Sequence, residues 1–340
     1  MNNKLKRTVR KNEFYVFCTI IILFIVITIL DESGKFFSLG NFIDILQSMI
    51  VPLTFCMGAM IVIISGGIDV SFPGIAAFAS YTVLKYLSEG GYEGNILLPL
   101  LLAGLIGIVL GSFNAALISF FRLPTLIVTL GTQSIFFSVI TTFIGEKQIS
   151  QHMMPKGVVD FGTTYLLDVQ SGGLAYKLPA AFLVAVAIVI AVWLILKYTM
   201  IGRAVYALGG DRVSAQRCGF NVRKVEFFIY MTAGFIAGIA GMLHASIVRI
   251  SYPYDLFGQE LTVIAMVVLG GTLISGGRGS VFGTILGVLI VTVINTSLIL
   301  IGIPGNWMTL VTGLLILIGT GVTSYQELRS SRKIKAITGI

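Results

Sequence analysis

Charge is the scarcest feature of this sequence: Lys, Arg, Asp and Glu make up 11% of its 340 residues, while 56% are hydrophobic. No soluble fold of this length has a core large enough to hide so much apolar surface, so water-soluble classes are excluded. Cysteine is nearly as rare. Cys18, Cys56 and Cys218 lie far apart, and two of them sit in apolar runs where a thiol acts as a small hydrophobe, so neither a disulfide nor a thiolate metal site is expected. The chain has no G-x-x-x-x-G-K-[ST] phosphate loop, no H-E-x-x-H pair, no Cys/His cluster and no G-x-S-x-G elbow. It therefore reads as no enzyme, with no catalytic residue, no metal and no cofactor of its own. Ionisable groups are also missing where ion coupling would need them, because 95–121, 125–145, 261–275, 279–302 and 306–323 carry no charged residue. His244 falls near the end of a span, where an interfacial imidazole needs no special role.

What fills the chain is apolar sequence in runs close to the ~20 residues a helix needs to cross hydrocarbon. Runs such as 178–196 and 281–294 are apolar on every face, which a barrel strand, alternating apolar and polar, would not be. The fold class is all-α, a polytopic transmembrane bundle forming a single domain over 1–340. Ten spans are expected, at 14–30, 43–65, 72–88, 95–121, 125–145, 178–199, 227–248, 261–275, 279–302 and 306–323. The first is read as a span and not a cleaved leader, since "LDESGKFF" lacks a small-residue cleavage pattern.

Charge placement then sets sidedness. With the basic start 1–13 in the cytoplasm, the turns and loops on that side, with the tail 324–340, hold 17 of the 23 Lys and Arg but only 5 of the 15 Asp and Glu. That bias follows the positive-inside rule and puts both termini in the cytoplasm. It also explains a net charge of +8 without nucleic acid. The loop 146–177 falls outside, as a small cap or docking surface.

Several short stretches stand out from this background. Gly107/Gly111, Gly234/Gly238 and Gly283/Gly287 are spaced four apart, which gives small-residue faces for close helix packing. "GGIDVSFPG" at 66–74 and "GGTLISGGRGS" at 270–280 each end a span in glycines before the next begins. Gly66, Gly67, Asp69, Ser71, Gly276, Gly277 and Arg278 are thus placed at inner turns, with Asp69 a turn and helix-capping carboxylate near the interface. In 200–226, Asp211 is a good N-cap, "RVSAQRC" supplies about two turns and Gly219 a stop, which predicts a short cytoplasmic helix. The alternative is a loop resting on anionic lipid headgroups. Polar candidates inside spans are Asn114, Thr129, Thr132, Gln133, Ser134, Thr292, Asn295 and Thr296. For each, helix-to-helix hydrogen bonding competes with a role in a substrate path.

"YALGGDRVSAQRCGFNVRKVEFFIYMTAGFIAGIAG", followed by "GQELTVIAMVVLGGTLISGGRGSVFGTILG", closely resembles the permease subunit of bacterial ATP-binding-cassette importers for ribose and related sugars. "SGGIDVS", "NAALISFFRLPTLIVTLGT" and "IPGNWMTLVTGLLIL" match the same family in the same order, so the likeness runs from about 36 to about 323. The resemblance implies a permease pair, homo- or heterodimeric, in the bacterial inner membrane. It also implies two cytoplasmic ATPase subunits holding ATP and Mg, and an extracytoplasmic sugar-binding protein. On that pattern Asp211, Arg212, Ser214, Ala215, Gln216, Arg217 and Gly219 form the coupling helix seated on the ATPase, with Arg212 and Arg217 facing its acidic residues.

The chain departs from the family pattern in two places. Pro73 and Gly74 replace the end of "GGIDLSVGS", and Thr262 stands where "LDAIA" has its aspartate, two residues after a Glu260 placed at the outer start of a span. The second departure weakens any transfer of substrate identity. Asn114, Thr132, Gln133 and Asn295 are the expected path residues, and membrane lipid is the remaining partner. An ion-coupled secondary transporter of a small polar solute, and a membrane enzyme or scaffold, are the competing readings.

Overall fold

The computed structural model describes residues 12–300 except 32, 33, 35, 172 and 173, together with single positions between 302 and 321. Helices dominate. Along the chain they are α1 (Asn12–Leu30), α2 (Leu39–Ile64), α3 (Phe72–Glu89), α4 (Leu97–Phe121) and α5 (Thr125–Val139), which a π-turn extends over Ile140–Ile144. There follow α6 (Lys156–Thr163), α7 (Ala181–Tyr198), α8 (Met200–Gly210), α9 (Arg212–Arg217), α10 (Val222–Val248), α11 (Glu260–Leu269) and α12 (Val281–Leu300). Four short strands, β1 (Ile149–Ser150), β2 (Tyr165–Ser171), β3 (Leu174–Pro179) and β4 (Ile250–Ser251), pair antiparallel as β1 with β4 and β2 with β3.

Six helices among the described residues are long and apolar enough to cross a membrane: 39–64, 97–121, 125–144, 181–198, 222–248 and 281–299. α4 shows how such a helix orients. Leu97, Leu101, Leu105, Val109 and Phe113 are exposed, while Gly104, Gly107, Gly111 and Asn114 are buried. Large apolar side chains point outward and small ones inward, as expected where lipid is the solvent and close backbone approach holds helices together. The partner face belongs to α10: a Cβ added at Gly107 would stand 2.1 Å from the Gly234 carbonyl oxygen, and one at Gly238 2.1 Å from that of Ala103. α2 forms the centre, with Met57, Met60, Ile61 and Ile64 fully buried.

The connections gather at two ends. At one, called here the near end, the Gly277 amide donates to the Ile64 carbonyl at 2.8 Å, and the Tyr206 hydroxyl to that of Gly279 at 3.0 Å. At the far end β1 meets β4, and the Tyr81 hydroxyl donates to the Lys147 carbonyl at 2.8 Å. The loop 146–177 is accordingly structured, holding β1, α6, β2 and the start of β3.

Two expectations need correction. The span expected over 261–275 is only the ten-residue helix α11, because the chain turns at its C-terminal end: the Thr272 amide donates to the Val267 carbonyl, the Gly271 amide to that of Val268, and Gly271 adopts φ +89°. The polar loop 200–226 contains a second helix, α8, capped by Thr199, whose side chain accepts from the Gly202 amide. Only scattered positions of the span expected at 306–323 are described, and the tail 324–340 and nearly all of 1–13 lie outside the described residues.

Candidate functional site

The sequence candidates converge on the near end. α9 is built from its caps: the Asp211 carboxylate accepts from the Ser214 amide at 2.6 Å, which satisfies a first-turn donor left without an intrahelical partner. At the other end the Phe220 amide donates to the Ala215 carbonyl at 3.2 Å and the Gly219 amide to that of Gln216 at 3.0 Å, with Gly219 at φ +88°. This is a Schellman stop, which needs a left-handed residue where the glycine stands. Ala215 is the buried anchor of α9, and Asp211, Arg212, Ser214, Gln216, Arg217 and Gly219 are exposed around it. The Ser214 hydrogen bonds hold the Asp211 carboxyl below its ordinary value, so it stays ionised at neutral pH.

Arg212 has a partner within the chain. Its Nη1 pairs with Glu226 Oε1 in the first turns of α10, while the side chain stays half exposed. Glu226 is 4% exposed, and its second oxygen is buried without a hydrogen-bond partner among the described residues. The sequence reading passed over this residue, although an acid two positions after "NVRK" at the mouth of a span is the signal to look for.

Around this pair lies a cavity of about 520 Å3, bordered by Gly66, Gly67, Arg122, Asp211, Arg212, Glu226, Tyr230 and Ser275. The inner-turn residues Gly66 and Gly67 thus border the same space as α9. Gly276 sits against Gly66 in the neighbouring turn and Gly277 against Gly210 at the end of α8, and the exposed Arg278 closes that turn through its carbonyl to the Leu273 amide at 3.1 Å. Arg122, which caps α4, holds a left-handed backbone at φ 55°.

Asp69 is a turn carboxylate buried in protein. The segment 67–70, in neither helix nor strand, lies beside the first turns of α5: the Ile68 amide donates to Thr125 Oγ1 at 3.0 Å and the Val70 amide to Thr129 Oγ1 at 3.2 Å. This places Asp69 between two successive turns of α5, and it is 4% exposed. Its Oδ1 accepts from the Ser71 amide at 2.7 Å and the Ser71 hydroxyl at 2.6 Å, and Asn114 Nδ2 donates to Ser71 Oγ at 2.7 Å. Asn114 therefore belongs with the inner turn.

The remaining path candidates do not form one site. Thr132 is buried and donates to the Thr129 carbonyl, while Gln133 is tied to Glu260 Oε1. Thr296 donates to the Thr292 carbonyl, Asn295 is half-buried on α12, and Ser134 is exposed and bonded to the Leu130 carbonyl. Glu260, half-buried at the start of α11, thus meets α5 part-way along that helix. Towards the far end, His244 Nε2 lies 2.8 Å from Asp255 Oδ2, and Phe137 stacks on Tyr254. Among the described residues no group of three or more His, Cys, Asp or Glu could hold a metal ion.

A family model described as "Branched-chain amino acid transport system / permease component" matches residues 41–319. The ribose import permease protein of Bacillus subtilis is 32% identical over 302 residues, 89% of each chain. That of Haemophilus influenzae is 29% identical over 91% of this chain and 92% of its own. An autoinducer 2 import system permease protein of Yersinia pseudotuberculosis is 30% identical over 88% of this chain and 80% of its own. No solved structure matches.

Proposed function

Because the chain belongs to this transport-system permease family, we propose that it is the membrane subunit of an importer that carries a sugar-like solute, a pentose, a hexose or a related small carbohydrate, into a bacterium. Energy comes from a separate ATPase that binds ATP and Mg and receives α9. An extracytoplasmic binding protein delivers the solute at the far end, and a second permease copy or paralogue completes the pathway. In this reading the near end is cytoplasmic, both termini lie on that side of the inner membrane, and ten segments enter the bilayer. Residues 211–219 dock on the ATPase, the turns at 66–71 and 276–278 form the inner gate, and the path residues act mainly through the contacts already described.

The observation that carries this reading is the match to ribose and autoinducer 2 permeases over nearly nine-tenths of the chain. A chain without a phosphate loop, ending one face in a doubly capped helix, has the parts of a transporter driven by a partner's hydrolysis. Two carboxylates, the buried Asp69 and the half-buried Glu260, are what an ion-coupled reading would use, and each is tied to a neighbour in this chain. Purification from the native membrane separates the two. The importer reading expects an ATPase subunit to co-purify, and uptake of radiolabelled ribose or a related sugar to stop when ATP is exhausted. Uptake that continues on a proton gradient alone would overturn it.

A further inference from the structure

We propose that Glu226 is a positioning residue that harnesses α9 to α10, so that α9, α10 and α4 move as one body and carry displacement of α9 to the Asp69 turn; the motion's purpose rests on the importer reading, but the harness does not. Covalently, α9 and α10 are joined only through the stop at Cys218–Asn221. The Glu226–Arg212 pair supplies a second tie, from the first residue of α9 to a carboxylate sunk in α10. A carboxylate that is 4% exposed is costly to keep without a cationic partner, so its pairing constrains where Arg212, and with it α9, can sit.

The body then extends through backbone contact. A Cβ at Gly111 would stand 2.2 Å from the Tyr230 carbonyl oxygen, one turn along α10 from Glu226, and Gly107 meets Gly234 as closely. Two helices touching backbone to backbone have no side-chain layer to absorb relative sliding. From α4 the connection continues by hydrogen bonds, Asn114 to Ser71 and Ser71 to Asp69. Each link in the series is a direct contact, which makes a coupling pathway testable pair by pair.

Two measurements test it. In the solubilised full-length chain alone, Glu226→Gln is expected to speed hydrogen exchange of the 212–217 amides about tenfold or more; unchanged exchange would overturn the harness whatever the protein transports. Arg212 is half exposed, so Arg212→Gln reports the same loosening if Glu226→Gln fails to insert. In the complex with its ATPase and binding protein, Glu226→Gln and Arg212→Gln are each expected to cut the ratio of substrate-stimulated to basal ATP hydrolysis several-fold, and the double variant to cut it no further. Losses that multiply in the double variant would show that the two residues act separately and overturn the proposal.

Discussion

Asp211 concentrates the chemistry of the near end in one side chain. Its carboxyl is held below the ordinary 3.8 by the Ser214 hydrogen bonds, so it binds protons less readily in the folded helix than in an unfolded segment. A depressed folded value means that the cap's contribution is complete above the unfolded value and disappears as pH falls through the folded one. Hydrogen exchange of the 212–217 amides is therefore expected to accelerate below about pH 4, beyond its intrinsic pH dependence, in the native chain. In Asp211→Asn, which keeps an oxygen acceptor without a titrating group, that extra acceleration is expected to vanish. The Asp211 cap was legible in the sequence because capping is local, with donor and acceptor three residues apart. The burial of Asp69 was not, because Thr125 and Thr129, which hold the amides on either side of it, lie 57 and 59 residues beyond Ile68 and Val70. Glu226 escaped for a similar reason: its partner is an arginine that alone looks like one more cytoplasmic positive charge.

Among the elements, α4 and α10 form the best-defined pair, and the small-residue spacing seen in the sequence is the reason. Adding a methyl at Gly234 forces a contact 2.1 Å from the Gly107 carbonyl oxygen, whereas Gly131 has nothing within 4 Å of an added Cβ. Gly234→Ala is expected to destabilise the solubilised protein by about 1–3 kcal/mol, as overpacking commonly does, and Gly131→Ala to leave it nearly unchanged, both read from thermal melts. Long apolar helices were legible because hydropathy averages over twenty residues. α8 was missed although Ala204, Val205 and Leu208 turn one buried face inward, because its eleven residues carry too little apolar weight to stand out. α11 was overdrawn because the apolar run continues past Gly270 and Gly271 while the backbone turns there.

For the whole molecule, sidedness is the property on which the functional reading turns. Cys218 is exposed in the stop of α9 while Cys56 is buried in α2, so the native thiols make a built-in probe. In inside-out vesicles a membrane-impermeant maleimide is expected to label Cys218 and spare Cys56. In right-side-out vesicles Cys218 is expected to stay unlabelled, whereas Met153→Cys, on the far-end loop, reacts. The reverse pattern would invert the near and far ends and with them every assignment made to the turns at 66–71 and 276–278.

The shortness of α11 bears on what the chain can be alone. Its first residue, Glu260, meets Gln133 about 12 Å along α5 by helical rise, so the non-helical stretch 252–259 descends from β4 to mid-depth with Tyr252, Tyr254 and Phe257 exposed. Two of its amides are paired in turns, Asp255 to the Tyr252 carbonyl and Phe257 to that of Tyr254, but a turn leaves more peptide groups open than a helix does, and open ones cannot lie against acyl chains. This flank of the subunit is thus the wrong surface for a lipid boundary. On the importer reading, it is the flank given to a second subunit or to the wall of an aqueous passage.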